Sequence, residues 1–201
     1  RSVRFPAEFN RASGFGQVPD ITGRIAAASS VDDKLLLFAE NGLSVVFGQG
    51  PNDNWLQNGY GDPVRIQAAE GIRFDSPFIA EVPDGVWYVT TAGPRMLTRG
   101  LTTAKDATGM DLGDKLRTQT QVLLGQCAAV FTHPTRAQVW FVTGDQTFIF
   151  DYLRNVWTYR TSFSDDVDHP FAGAAAARGV LYALSLNGMS TALRYVDPAS
   201  V

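Results

Sequence analysis

Ser76-Pro77-Phe78-Ile79-Ala80-Glu81-Val82-Pro83-Asp84-Gly85-Val86-Trp87-Tyr88-Val89-Thr90-Thr91-Ala92-Gly93-Pro94-Arg95-Met96-Leu97 is the stretch that decides the fold. It reads as short strand, tight turn, aromatic-rich strand, tight turn, short strand. Pro83-Asp84-Gly85 has a turn mechanism: proline presets φ, aspartate bonds the local backbone, and glycine accepts a positive φ. Val86 to Thr90 is an unbroken run of β-formers without polar alternation. A strand of that kind has both faces covered.

The same unit recurs. Upstream, Arg24–Ser30 reads as a strand, Asp32-Asp33 as a turn, and Lys34–Phe38 as the apolar strand. Glu40-Asn41-Gly42 forms the next turn and Leu43–Phe47 the next strand, Asn-Gly between apolar runs being a strong hairpin signal. Downstream, Ala128–Thr132, the turn Pro134–Gln138, Val139–Thr143, Gly144-Asp145 and Gln146–Phe150 repeat the order. So do Phe171–Ala176, Arg178-Gly179, Val180–Leu184, Asn187-Gly188 and Thr191–Val196. Superposing the four units aligns Leu35, Val86, Val139 and Val180, at steps of 51, 53 and 41 residues. That is the period of a propeller blade, about 40 to 50 residues in comparable families. A meander of three or four strands has two bare faces; stacked around an axis, each meander covers its neighbours.

The expected fold is therefore all-β: about four consecutive β-propeller blades of 3–4 antiparallel strands, part of a larger propeller or multidomain chain. The expected layout is an irregular lead-in over 1–23, blades over 24–68, 69–124 and 125–162, and a partial blade over 163–201. Asp62–Ala68 and Val156–Thr161 are polar enough to be outer, rim strands. The second unit is less regular, with a short helical turn near Asp111–Arg117 and a strand over Gln119–Leu124.

Composition narrows the partners. A chain of 201 residues with 45% hydrophobic and 18% charged residues is globular in character. Its net charge of −3 and scattered basic residues argue against gripping nucleic acid by phosphate neutralisation. The single cysteine, Cys127, sits among apolar neighbours as a small buried hydrophobe. No apolar run approaches the ~18 residues of a spanning helix, so this segment is not expected to insert into a membrane. The opening Arg1-Ser2-Val3-Arg4-Phe5 reads as an excerpt from a longer polypeptide.

The long Gly/Asn-rich loop 48–61 is the candidate contact surface, carrying Asn52, Asp53, Asn54, Trp55 and Tyr60. Asp165, Asp166, Asp168 and His169 could converge on a cation, but their spacing does not match a calcium loop. Asn52-Asp53-Asn54 fails on the same grounds, and no metal or cofactor is expected. His133 and His169 each precede a proline in a turn, and no Gly-x-Ser-x-Gly elbow accompanies them. Glu40, Glu70, Glu81, Asp84, Asp145 and Asp151 could serve a glycosidase only by converging on one mouth; most sit beside turns. Trp87, Tyr88, Trp140, Phe141, Trp157 and Tyr159 fall within strands and are read as packing, not as a stacking platform for a sugar or base. An enzyme is not expected.

Three stretches resemble the β-propeller-bearing tail nozzle and stabilisation (tail tubular) proteins of short-tailed bacteriophages. They are Ile21-Thr22-Gly23-Arg24-Ile25 with Asp33–Phe38, Ser76-Pro77 leading into Pro83–Tyr88, and Phe150-Asp151-Tyr152-Leu153-Arg154-Asn155-Val156-Trp157. The resemblance runs from about Ile21 to Tyr195 and implies a structural virion protein of the tail. Such a protein is a multi-copy ring component around the DNA exit channel. Its partners are other copies of itself and neighbouring tail and adaptor proteins, with DNA passing through unbound. The family brings no catalytic residues, and this chain is shorter than a whole nozzle protein. The alternatives are a carbohydrate- or receptor-binding propeller that uses Trp55 and Tyr60 as stackers, and a propeller glycoside hydrolase.

Overall fold

The computed structural model of the protein describes residues 23–48, 63–67, 69–73, 78–105, 107–108, 110–116, 129–143, 146–160, 171–177, 180–187 and 190–196. The lead-in before Gly23 and the strand expected over Gln119–Leu124 lie outside them. Among the described residues there are fourteen β-strands, two short 3-10 turns and no α-helix. The protein is all-β, and every sheet is a meander whose consecutive strands pair antiparallel. The chain divides into two compact units, Arg1–Gly71 and Ile72–Val201.

The first unit holds one sheet, ordered β1 (Ile25–Val31), β2 (Lys34–Ala39), β3 (Gly42–Phe47) and β4 (Val64–Arg65). Asp32 takes the left-handed region at φ 55 and closes the first hairpin with Asp33. The second hairpin differs from the expected Asn-Gly turn. Gly42 already pairs with Ala39 as the first residue of β3, so the two-residue loop is Glu40-Asn41. Asn41 does not take a positive φ. Arg65 secures this loop from the outer strand, its guanidinium donating to the Asn41 carbonyl at 3.3 Å. Gly71 passes so close that an added Cβ would stand 2.0 Å from the Glu40 carbonyl oxygen. Within the described residues 63–67 of the rim strand expected over Asp62–Ala68, Val64–Arg65 is a strand, prolonged by Ile66 N–H donating to the Leu43 carbonyl at 2.9 Å.

The second unit holds three sheets. The first is β5 (Ile79–Val82), β6 (Gly85–Thr90) and β7 (Gly93–Thr98). The second is β8 (Ala129–His133), β9 (Gln138–Val142), β10 (Thr147–Asp151) and β11 (Val156–Arg160). The third is β12 (Phe171–Ala177), β13 (Val180–Asn187) and β14 (Ser190–Val196). Val86–Thr90 and Val139–Val142 thus lie in separate sheets. β8 lies against β5 on one side and β12 on the other, so the leading strands of all three sheets are neighbours. The Thr132 hydroxyl ties one seam by donating to the Glu81 carbonyl at 2.5 Å.

β6 is buried at every residue, as its unbroken apolar run requires. Trp87, wholly buried, inserts among Phe141, Phe150 and Trp157 of the next sheet, with ring centroids 5.7, 4.8 and 5.6 Å away. Val82, Val89, Met96, Val139 and Phe148 belong to the same core, with Leu112 and Leu116 from the connection after β7. Register explains the selection. Val139 and Phe141 pair with Phe150 and Phe148, and those with Trp157 and Tyr159, so one face of the sheet is aromatic across three strands.

The irregular second unit of the sequence does contain a helical turn, as a 3-10 segment at Leu112–Leu116. It is fastened to β7 by a device that strand periodicity does not reveal. Arg95, 8% exposed, meets Asp111 at 3.4 Å and Asp114 at 3.5 Å. The Trp157 indole N–H donates to the Leu112 carbonyl at 2.8 Å, and Gly113 lies where a Cβ would stand 2.0 Å from the Pro94 carbonyl oxygen. The outer edge of β7 is met by Thr103 and by Ala104, whose N–H donates to the Met96 carbonyl at 2.8 Å.

Two turns share a hydroxyl closure. The Thr90 hydroxyl donates to the Gly93 carbonyl at 2.9 Å and accepts from Ala92 N–H at 3.1 Å. The Thr143 hydroxyl donates to the Gln146 carbonyl at 2.7 Å and accepts from Gln146 N–H at 3.0 Å. With Val86 aligned on Val139, these threonines occupy the same place in the repeat.

Trp87 and Trp157 separate packing from hydrogen bonding, because no hydrogen-bond partner reaches the buried Trp87 indole nitrogen. Trp157→Phe is expected to cost about 1–3 kcal/mol in urea unfolding, from the lost hydrogen bond plus lost indole contacts. It should also speed amide exchange across Leu112–Leu116. Trp87→Phe should cost packing energy while leaving exchange of that segment relative to β7 unchanged.

Candidate functional site

Asn52, Asp53, Asn54, Trp55 and Tyr60 lie outside the described residues, as do Asp145, Asp165, Asp166, Asp168 and His169. Among the described residues, no three His, Cys, Asp or Glu side chains gather as metal ligands. The carboxylates raised as candidate acids are dispersed. Glu40 accepts from Arg24 N–H at 3.0 Å and faces its guanidinium at 3.4 Å. Glu70, Glu81 and Asp84 are exposed, and the Asp84 carbonyl accepts from Arg99 N–H at 3.0 Å. Of the six aromatic residues read as packing, Trp87, Tyr88, Trp140 and Phe141 are buried and Trp157 is half-buried, whereas Tyr159 is exposed.

His133 is not in a turn. It ends β8, 3% exposed, beside Trp140 at a ring-centroid distance of 5.7 Å. The turn proper is the 3-10 segment Pro134–Arg136, which closes on Ala137 at φ 55.

The surface that stands out is the hairpin joining β10 to β11. Asp151, 8% exposed, builds it: one carboxylate oxygen accepts from Leu153 N–H at 3.1 Å and Arg154 N–H at 2.9 Å. The other accepts from the Arg154 guanidinium at 2.8 Å. An aspartate that bonds the backbone two and three residues on is an Asx turn, and Asn155 at φ 56 completes it. The stretch Asp151–Trp157 is thus turn chemistry followed by a core tryptophan. Burial pulls the Asp151 pKa upward, but the Arg154 backbone and guanidinium hydrogen bonds, its charge, and Leu153 N–H outweigh it. They hold the carboxyl below the ordinary aspartate range.

The turn and the strand after it expose three apolar side chains beside Arg154 and Asn155. Leu153 is 80% exposed, Val156 48% and Tyr159 62%. Val156 shares a face with Asp151 and Ile149, whereas Tyr159 shares the opposite one with Phe148. β11 is the last strand of its sheet, and among the described residues no further strand pairs with it. An edge left unpaired among the described residues, with apolar side chains on both faces, has backbone groups and apolar area open to contact. Nothing in the strand pattern separated the exposed Tyr159 from the half-buried Trp157 two residues before it; distance along the strand from the core decides it.

No family model and no curated protein matches this chain. Among solved structures, it is similar to the WD40 domain of Pan2 from Neurospora crassa, with a TM-score of 0.51 and 12% identity over 88% of this chain. The chain spans about half of that domain, 47% of its length. It is also similar to the computationally designed Ika4 protein, with a TM-score of 0.52 and 10% identity over 90% of this chain and 96% of that one. The likeness is one of fold. WD40 domains are β-propellers, so the antiparallel sheets here are propeller-like.

Asp151 provides a pH test. Its native pKa is depressed, so its contribution is present above the ordinary aspartate value and is lost as the pH falls through the native value. Asp151→Ala is expected to cost about 1–2 kcal/mol at pH 7 in urea unfolding. Asp151→Asn, whose amide oxygen still accepts both N–H groups, should cost less than half of that, the exposed Arg154 ion pair adding little. Repeated at pH 3, the gap between wild type and Asp151→Ala should narrow.

Proposed function

We propose that the chain supplies about four consecutive blades of a β-propeller, and that this propeller belongs to a structural virion protein. That protein is a nozzle or hub component of a short-tailed phage tail, assembled with copies of itself as a ring around the DNA exit channel. Neighbouring tail and adaptor proteins flank it, and DNA passes without specific binding. The blade reading rests on the side-by-side leading strands β5, β8 and β12 and on the likeness to a WD40 domain. The assignment to phage tails rests on the resemblance of Ile21–Ile25 with Asp33–Phe38, of Ser76-Pro77 leading into Pro83–Tyr88, and of Phe150–Trp157 to that family.

One observation favours an assembly role. Asp151, Asp111 and Asp114 hold turns and connections, while the β10–β11 hairpin exposes Leu153, Val156 and Tyr159 beside Arg154. Carboxylates committed to the fold, with apolar side chains left outside next to one cation, suit a protein that works by contact. The net charge of −3 is compatible with a conduit, because each neutralised phosphate would add affinity and retard the passing strand.

Negative-stain images of the full-length protein should show closed rings. Leu153→Asp with Tyr159→Lys should reduce them to smaller species without lowering the melting temperature. Discrete particles that bind glycans on an array, with binding lost in Trp55→Ala, would replace this reading with an adhesin. Polysaccharide hydrolysis abolished at a single carboxylate would replace it with a glycosidase.

A further inference from the structure

We propose that His133 is an acid-sensitive latch, holding the end of β8 and the hairpin to β9 in the sheet stack only while its imidazole is neutral. The geometry carries the argument. His133 is 3% exposed, and its Nδ1 is buried without a hydrogen-bond partner. The imidazolium carries a proton on both ring nitrogens, so its Nδ1–H would be a buried charged donor with no acceptor in reach. Its surroundings compound the effect. Trp140 lies 5.7 Å away in β9, its indole N–H donating to Gln138 at 3.0 Å, and β9 contributes no ionisable side chain.

Among the described residues, the elements packed against β8 bring no free counter-charge to the ring, and the exposed Asp84 of the β5–β6 turn acts on Tyr152. The 3-10 turn that follows brings Arg136, a like charge. β12, which lies against β8, contains no ionisable residue in Phe171–Ala177. On β5 the one ionisable residue is Glu81, which is exposed. On β10, Asp151 shares a face with His133 across Gln138, but its carboxylate is held by Arg154. Burial first, then the charge of Arg136, push the His133 pKa below its ordinary 6.5, and a small upward pull from its own backbone does not offset them. The sign follows: the latch is closed above the ordinary histidine value and is released as the pH falls from there through the depressed native value.

The segment released is defined by its bonds. His133 pairs with Gln138, Ala137 N–H donates to the Pro134 carbonyl at 3.2 Å, and Tyr152 N–H donates to the Ala137 carbonyl at 3.0 Å. Opening it would detach the end of β8, which neighbours both β5 and β12, and loosen the start of the next hairpin. This latch does not depend on the phage-tail reading.

The chain has two histidines, so in a His169→Gln background His133 is the only imidazole and its NMR signal is unambiguous. In the full chain, that signal should titrate below 6.5. Amide exchange at residues 133–138, corrected for intrinsic rate, should rise by up to roughly tenfold per pH unit within the window, relative to the same amides in His133→Gln. His133→Phe, which restores an aromatic ring against Trp140, should behave like His133→Gln. A His133 signal at or above 6.5, or identical pH dependence of exchange with and without the imidazole, overturns the proposal. If neither substitution folds, the titration in the His169→Gln chain decides alone.

Discussion

The contact between Trp87 and the aromatic face of the following sheet is the constraint on which the second unit depends. β5 to β7 form a meander of three strands, too small to persist in water without a cover for its inner face. Trp87 stands at the middle of the middle strand, where that need is greatest, and Phe141, Phe150 and Trp157 meet it from three successive strands. Edge-on and tilted ring contacts contribute beyond area burial. They also offset the cost of an indole N–H that finds no acceptor. Neither sheet can shift register alone, because a slip of one residue would turn its aromatic set away from the other.

Taken one by one, the described sheets finish their edges differently. β4 is a two-residue strand whose arginine reaches back to a turn. β7 is bordered by Thr103 and Ala104 and by a connection that Arg95 holds through two aspartates. β11 is a full strand with exposed apolar residues. The inner strands are alike because they answer the same packing demand. The outer ones meet loops and solvent, where several solutions satisfy the same backbone groups.

This division also decides what could be read from the amino acids. The central strands were legible because an uninterrupted apolar run has few alternatives, and Pro83-Asp84 because its turn chemistry is local. Glu40-Asn41 was displaced by one residue because Gly42 was taken for the turn, when its register belongs to β3. Arg95 passed as one scattered base among many. Its signal was a lone cation inside an apolar strand, with acids three apart downstream at Asp111 and Asp114. His133 was misplaced because the following proline suggested a turn, although the strand runs up to it. At the candidate surface, Leu153 and Tyr159 gave no warning, since exposure at a sheet margin depends on which neighbours exist and not on residue type. The candidate loop with Trp55 and Tyr60 lies outside the described residues.

The paired threonines at the close of β6 and just beyond β9 have a consequence for how duplicated modules drift apart. In both, one hydroxyl ties the chain to the carbonyl three positions on. The intervening pairs in the sequence, Thr91-Ala92 and Gly144-Asp145, have no residue in common, yet the knot is the same. A copy can therefore exchange both of those amino acids, provided one small oxygen keeps its position.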